Sequence, residues 1–259
     1  MHKLRLALSL FPYTPVRHWP GLTFYFVGWF LYRLCGIRLF RERQLRLKPF
    51  TVCADIEGQS GLAFLHEILV QNIYDFPEPA EAKKIRLFHD LGANCGFFTL
   101  TRCAGHPGLR GVSFEPHPVT FGRLQHNLAA NNLSERVKAE HAAVAASSGE
   151  CELNVSPDSS MGVVSTSSAQ CLDKSNIVRV RSWSLDDYAR EHNSYPDLLK
   201  IDVEGFEVEV LKGAGACLTR AGYVILEFHS EQLKQDCLAI LHAAGFKTTL
   251  REGLIFARK

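Results

Sequence analysis

The chain is predicted to fold as an α/β protein. It should hold a doubly wound, mostly parallel sheet that closes with an antiparallel strand, behind a basic, aromatic N-terminal extension. Three observations carry that expectation. From residue 85 onward, apolar runs of strand length alternate with stretches of helical period. Four of those runs end in an acid, Asp90, Glu115, Asp202 and Glu227, at the edge where such sheets bind ligand. The charge is also divided: residues 1–50 hold nine Lys/Arg against Glu42 alone, a balance of +8, and the other 209 residues sum to −6.

Residues 1–43 read as a separate unit, with Phe24, Phe26, Trp29, Phe30 and Tyr32 on a helix and Arg33, Arg38, Arg41 and Arg43 at or beyond its end. Residues 44–259 form the main domain. Its lead-in, 44–80, carries a helix over 61–71 and stops at Phe76-Pro-Glu-Pro-Ala80, where two prolines interrupt regular structure. The core, 81–259, opens with a strand over 85–90 and a helix over 96–104. A strand over 111–114 follows, then a helix with Phe121, Leu124 and Leu128 on one face, and a strand over 136–141. The Ser-rich, apolar-poor stretch 147–176 is expected to be a hairpin excursion with a mobile loop around 156–176. Beyond it come a strand over 198–201, a helix over 205–212, a strand over 223–226 and a helix carrying Leu233, Cys237 and Leu241. Residues 246–250 and 254–257 form the closing strand pair around an Arg-Glu-Gly turn.

Composition excludes several classes. Leu4–Phe11 is apolar but short, is followed by Pro12 and Pro15, and has no small-residue cleavage site after it, so it does not read as a secretory signal. The most apolar window, 21–32, is twelve residues long, where a spanning helix needs about 20. Eight scattered cysteines show no Cys-x-x-Cys pair and no zinc-ligand spacing. They read as reduced thiols of a cytoplasmic protein, with no metal site.

The most informative segment is Phe88-His-Asp-Leu-Gly-Ala-Asn-Cys-Gly-Phe-Phe-Thr99. An apolar strand ends at Asp90, then turns through Gly92 and Gly96 into a helix. Glycines there let the backbone turn sharply and approach a ligand. A dinucleotide pyrophosphate wants backbone N–H groups and a helix dipole around its charge, and a carboxylate beside the turn would repel it. The same carboxylate suits an ammonium or sulfonium, so the turn favours S-adenosyl-L-methionine over NAD. Glu115, 25 residues after Asp90, is placed to accept the ribose hydroxyls; the plainer alternative is a helix-start acid.

These segments, with Phe114-Glu-Pro116, Leu185-Asp-Asp-Tyr188 and Leu199-Lys-Ile-Asp-Val-Glu-Gly-Phe-Glu-Val-Glu-Val-Leu-Lys-Gly213, resemble the FkbM-type S-adenosylmethionine-dependent methyltransferases over roughly residues 85–230. The resemblance implies a Rossmann-like class I methyltransferase fold. It implies a cofactor loop of Asp90, Gly92, Asn94 and Gly96, ribose binding by Glu115, and adenine beside Ala142 and Ala143. It also implies O-methylation of a sugar, glycolipid or polyketide hydroxyl, with N-methylation of an amino sugar or peptide as the alternative. A non-catalytic cofactor-binding membrane adaptor is the rival from outside enzymes.

Methyl transfer to a hydroxyl gains from a base within hydrogen-bond reach. Asp202, ending its strand, is the first candidate and His229 the second, with Glu204 beside the acceptor and Gly205 allowing close approach. Glu204 and Glu207 also suit a helix start. Asp202, Glu227 and His229 are conceivable ligands of a divalent ion, but their spacing does not demand one. The N-terminal head admits two readings: peripheral contact with an anionic membrane, or packing on the main domain or a second subunit. Nucleic acid is not expected, because no base-reading module accompanies the basic segment.

Overall fold

Strand and helix alternate from Leu87 onward because each apolar run is sealed on both faces by the helices beside it. The computed structural model describes residues 8–40, 42–55, 65–75, 84–155, 162–165 and 177–259. The expected proline boundary at 76–80, the first part of the 61–71 helix and nearly all of the 156–176 loop lie outside the described residues, as do Lys3, Arg5 and Arg41.

The head contributes helix α1, Trp19–Cys35, closed by Gly36 in the left-handed region (φ 69°). A hairpin of β1 (Glu42–Arg46) and β2 (Thr51–Asp55) follows, then a short π-type turn, Glu67–Gln71. Leu22, Tyr25 and Trp29 of α1 are buried in one apolar cluster with Leu45, Val52, Ile68, Phe88 and Phe98. Asn127 and Asn131 fasten the hairpin to the core: their side-chain oxygens accept from the N–H groups of Cys53 (2.7 Å) and Thr51 (2.8 Å).

The main sheet has seven strands in the order β12-β13-β11-β10-β3-β4-β5. Here β3 is Leu87–Leu91, β4 Arg110–Phe114 and β5 Val137–Glu140; β10 is Leu198–Ile201, β11 Tyr223–Glu227, β12 Lys247–Arg251 and β13 Leu254–Arg258. The five strands β5, β4, β3, β10 and β11 are parallel, while β13 runs antiparallel between β11 and β12. Helices α2 (Phe97–Gly105), α3 (Pro118–Ala130), α4 (Leu185–His192), α5 (Glu207–Lys212), α6 (Gly215–Arg220) and α7 (Glu231–Ala243) connect them. The expected strands all occur, displaced by a residue or two at their ends.

The Ser-rich stretch holds the expected hairpin, Gly149–Val155 against Gly162–Ser165, as part of a larger sheet. It forms a second sheet, β6-β9-β7-β8, from β6 (Ala143–Ala145), β7 (Gly149–Val155), β8 (Gly162–Ser165) and β9 (Ile177–Ser184). Strand β9 pairs along β7 from Ile177 to Ser182 and runs parallel to β6, so the excursion ends in a strand leading straight into α4. Ser184 caps that helix by accepting from the Asp187 N–H at 3.1 Å. Asp186 in turn accepts from the N–H groups of Ala216 and Cys217, both at 2.9 Å, capping α6. The Leu-Asp-Asp-Tyr motif is thus a splice between two helices. No two described cysteines are joined in a disulfide.

Candidate active site

Chain order reverses between β3 and β10: the sheet grows through β4 and β5 on one side and through β10 and β11 on the other. Such a reversal leaves a crevice outside the carboxyl ends of the strands, where ligands bind. A cleft of about 840 Å³, counting space open to solvent, lies there. Of the predicted residues, Gly92, Asn94, Glu115, Ala143, Asp202 and Glu204 line it. Asp90, Gly96 and His229 are not among its lining residues.

The turn after β3 alternates in hand, with Gly92 (φ 75°), Asn94 (φ 51°) and Gly96 (φ 85°) all left-handed. A Cβ on Gly92 would stand 1.8 Å from the Asp202 carbonyl oxygen, so the two central strand tips touch backbone to backbone. Gly205 works differently: its φ is 99°, and a Cβ there would meet nothing within 4 Å. It serves a turn whose side is open to the space around it. Glu204 just before it is also left-handed (φ 53°), a conformation L-residues adopt at a cost and that recurs at functional sites.

Glu115 is buried at the tip of β4 and already accepts three hydrogen bonds. The Asn94 N–H reaches Oε2 (2.7 Å), and the His117 N–H and Thr120 hydroxyl reach Oε1 (both 2.8 Å). A carboxylate has about four acceptor sites, so one remains, on Oε2, enough for one ribose hydroxyl but not both. Burial pushes its pKa up to about 7, against the pull of those three donors.

Asp90 is wholly buried beneath the turn, where it accepts from Thr99 Oγ1 at 2.7 Å. Its other partner is Lys200, a 3 %-exposed lysine inside β10. The Lys200 ammonium lies 3.3 Å from Asp90 Oδ1 and 3.3 Å from Asp202 Oδ2, and donates to the Gly92 carbonyl at 2.8 Å. Burial alone would lower the lysine pKa, but the charges of Asp202 and Asp90 outweigh it and raise it. One ammonium therefore ties the cofactor-type turn to the tip of β10, and Asp90 acts on the cleft through it.

Around Asp202 the remaining charges form a cage. His229 donates from Nδ1 to Glu207 (2.8 Å), and its Nε2 lies 3.2 Å from Glu204 and 3.9 Å from Asp202. Hydrogen bonds to Glu204 and Glu207 raise its pKa to about 10 despite burial, and the same bond to His229 lowers that of Glu204. At neutral pH His229 is thus a cation with no lone pair to take a proton, which removes it as the resting base. Glu227, at the end of β11, accepts from the Tyr74 hydroxyl at 3.2 Å. Burial and then the Asp202 charge push its pKa up to about 7, and burial raises that of Asp202 too. Asp202, Glu227 and His229 each bring a donor atom within 4.8 Å of the others, yet His229 spends both nitrogens on glutamates and does not fit a metal ligand as it stands.

The cage makes a prediction about stability. His229 is an ordinary histidine, pKa 6.5, when unfolded and about 10 when folded. Its contribution is therefore full below pH 6.5 and lost as pH rises through about 10. Melting temperature should fall across that interval in the native chain, and the His229→Asn variant should lack that slope; a parallel slope in both would discount the ion pairs.

Two residues of the site were not singled out from sequence. Lys200 had a signal, a lysine inside an otherwise apolar buried strand two residues before an acid. Tyr74 had none, since only the fold brings it against Glu227, 153 positions away.

Counted within the main sheet alone, with β3 as the first strand, the order is 3-2-1-4-5-7-6 with the seventh antiparallel; with an acid-rimmed cleft at the switch point, this is the arrangement of a class I methyltransferase. The methyltransferase FkbM domain matches residues 90–248, and the chain belongs to that family. The hexuronic acid methyltransferase AglP of Haloferax volcanii is 28% identical over 171 residues, 66% of this chain and 67% of that one. Methyltransferase sdnD of Sordaria araneosa is 30% identical over 180 residues, 57% and 66% of the two chains. The 31-O-demethyl-FK506 methyltransferase FkbM of Streptomyces tacrolimicus is 26% identical over 242 residues, 82% and 92%.

Proposed function

We propose that this methyltransferase moves the methyl group of S-adenosyl-L-methionine to a hydroxyl of a sugar, glycolipid or polyketide-type acceptor. The observation that carries the reading is a pair of neighbouring carboxylates at a cleft whose turn suits a cationic ligand: Asp202, which lines it and whose pKa burial raises, and Glu227 beside it, pushed up to about 7. Two relatives' names suit parts of the reading: one is a hexuronic acid methyltransferase, whose acceptor is a sugar acid, and one a 31-O-demethyl-FK506 methyltransferase, named for an oxygen.

The residues fit the cofactor. Asn94 leaves its buried Oδ1 without a partner, Glu115 keeps one acceptor site, and Ala142, Ala143 and Val144 offer an apolar wall for a purine. Asp90, Glu115, Asp202, Glu204 and Glu227 outnumber Lys200 and His229, so the surroundings favour a cation. When bound, the cofactor supplies an electrophilic methyl on a positively charged sulfur. Asp202 lines the cleft and takes the acceptor's proton; Glu227 beside it sets the pH at which it can do so. His229 offsets the negative charge, and Lys200 holds Asp202 in register with the turn. A base of this kind serves a hydroxyl, whereas a carboxylate acceptor would need no deprotonation and would be repelled.

Glu115→Gln should weaken cofactor binding by roughly 10- to 150-fold, the loss of a charge-assisted hydrogen bond of about 1.5–3 kcal/mol. Titration calorimetry with S-adenosyl-L-methionine measures it, and unchanged affinity would remove the ribose assignment. The reaction itself is tested with methyl-labelled cofactor and a lysate, afterwards divided into lipid, polysaccharide and protein. Label is expected in the lipid or polysaccharide fraction and should resist mild base, as a methyl ether does. Label confined to protein, or released by mild base as from a methyl ester, overturns the hydroxyl assignment.

A further inference from the structure

Nine of the eleven exposed large apolar side chains among the described residues lie between Leu8 and Leu39. They are not scattered. On α1 the buried face holds Leu22, Tyr25 and Trp29, while Phe24, Val27, Phe30 and Leu34 recur at helical spacing on the opposite face, and Ile37 and Leu39 extend it. A helix apolar on both faces has one face left to cover. None of the described helices is long and apolar enough to cross a membrane.

Beside it lies a second feature of independent origin. A cavity of about 540 Å³, counting space open to solvent, opens between α1 and β1 and is lined by Arg17, His18, Arg43 and Arg46. No carboxylate lines it. The single acid of the first 50 residues, Glu42, is engaged by Arg123 of α3 at 3.2 Å. The Arg43 guanidinium stands 4.6 Å over the Phe24 ring, joining the basic pocket to the apolar face.

We propose that α1 and the arginine pocket dock the protein, in the plane of the interface, onto a lipid surface carrying anionic headgroups. Phe24, Val27, Phe30 and Leu34 would enter the acyl boundary, and Arg17, Arg43 and Arg46 would meet the phosphates. Charge decides between this occupant and a second copy of the chain. An isologous dimer through this face would set one +8 head against another, whereas an anionic bilayer supplies the complementary sign. The docking stands apart from the identity of the methyl acceptor.

The test is flotation of the full chain with vesicles of phosphatidylcholine alone or with about 30 mol% phosphatidylserine, at low and high salt. Binding is expected to be at least about tenfold stronger to the anionic vesicles and to weaken with salt. Phe24→Glu/Phe30→Glu and, separately, Arg17→Ser/Arg46→Ser should each reduce it about tenfold or more. Calorimetric binding of S-adenosyl-L-methionine by both variants confirms folding, since these positions lie outside the cleft. Equal binding to both vesicle types, no binding to either, or variants that float like the native chain would each overturn the proposal. A native dimer that fails to float and that Phe24→Glu/Phe30→Glu makes monomeric would instead assign the face to a second copy.

Discussion

Asp202→Asn should lower kcat by about 10²–10⁴-fold, the usual worth of a general base, while the dissociation constant for the methyl donor changes little. The substitution keeps shape and the hydrogen bond from Lys200 and removes only the ability to take a proton. The native enzyme should gain activity as pH rises through the pH at which Asp202 loses its proton, which burial moves above the ordinary carboxylate range. The sign follows from the chemistry: the base works as a carboxylate, so protonation below that pH silences it. Asp202 and Glu227 lie side by side, and the charge of Asp202 helps to push the Glu227 pKa up, so the two interact. Glu227→Gln removes a negative neighbour of Asp202 and should therefore move the midpoint to lower pH while leaving the plateau rate largely intact. Native turnover in Asp202→Asn would dismiss that residue as the base. A midpoint in Glu227→Gln that stays put or rises would dismiss the pairing.

Gly92→Ala is expected to be the most damaging added methyl among the described glycines. A left-handed backbone costs an L-residue about 1–2 kcal/mol, and the new Cβ would stand 1.8 Å from the Asp202 carbonyl oxygen. Overpacking of that kind costs roughly 1–3 kcal/mol more. A loss of about 2–5 kcal/mol should lower the melting temperature by roughly 5–20 °C for a chain of this size. Donor binding should fail as well, because relief means parting β3 from β10, the two strands that frame the cleft. Gly205→Ala is the control. It shares the positive φ but faces open space, so about 1–2 kcal/mol of backbone cost is all it should show. Equal melting temperatures for the two variants would mean that contact between the strand tips is not what Gly92 protects.

The main sheet was legible because its strands are short apolar runs that end in acids, and both features follow from burial on two faces with ligand at one end. Leu198–Ile201 and Tyr223–Glu227 could be placed nearly to the residue for that reason. Strand β9 was not legible. Its Ile-Val-Arg-Val-Arg-Ser-Trp-Ser alternates as a one-sided strand does, but the polar stretch before it masked the pairing, and its partner β7 lies more than twenty residues upstream. In the site, strand-tip position showed which acids gather, yet could not tell which of them face the cleft. Asp90 pairs in register with Lys200, inside its strand, while Asp202 stands just past the end of the neighbouring one; the first is sealed beneath Thr99 and Lys200 and the second lines the cavity. The charge state of His229 was equally hidden, since it depends on Glu204 and Glu207 closing on it from the next element.

The Lys200 strut has a consequence for how such an enzyme changes its taste in acceptors. Donor turn and base are locked to one ammonium within the central strands, so neither can drift without the other. Another part of the wall comes from outside those strands: Ile68 and Tyr74 reach the cleft from the lead-in, and Tyr74 meets the strand tips through its hydroxyl on Glu227 and its ring beside Lys200. Selectivity can thus be rewritten along that wall while the transfer chemistry is inherited unaltered, and a chimera exchanging residues 65–75 with a relative should trade acceptors yet keep its grip on the donor.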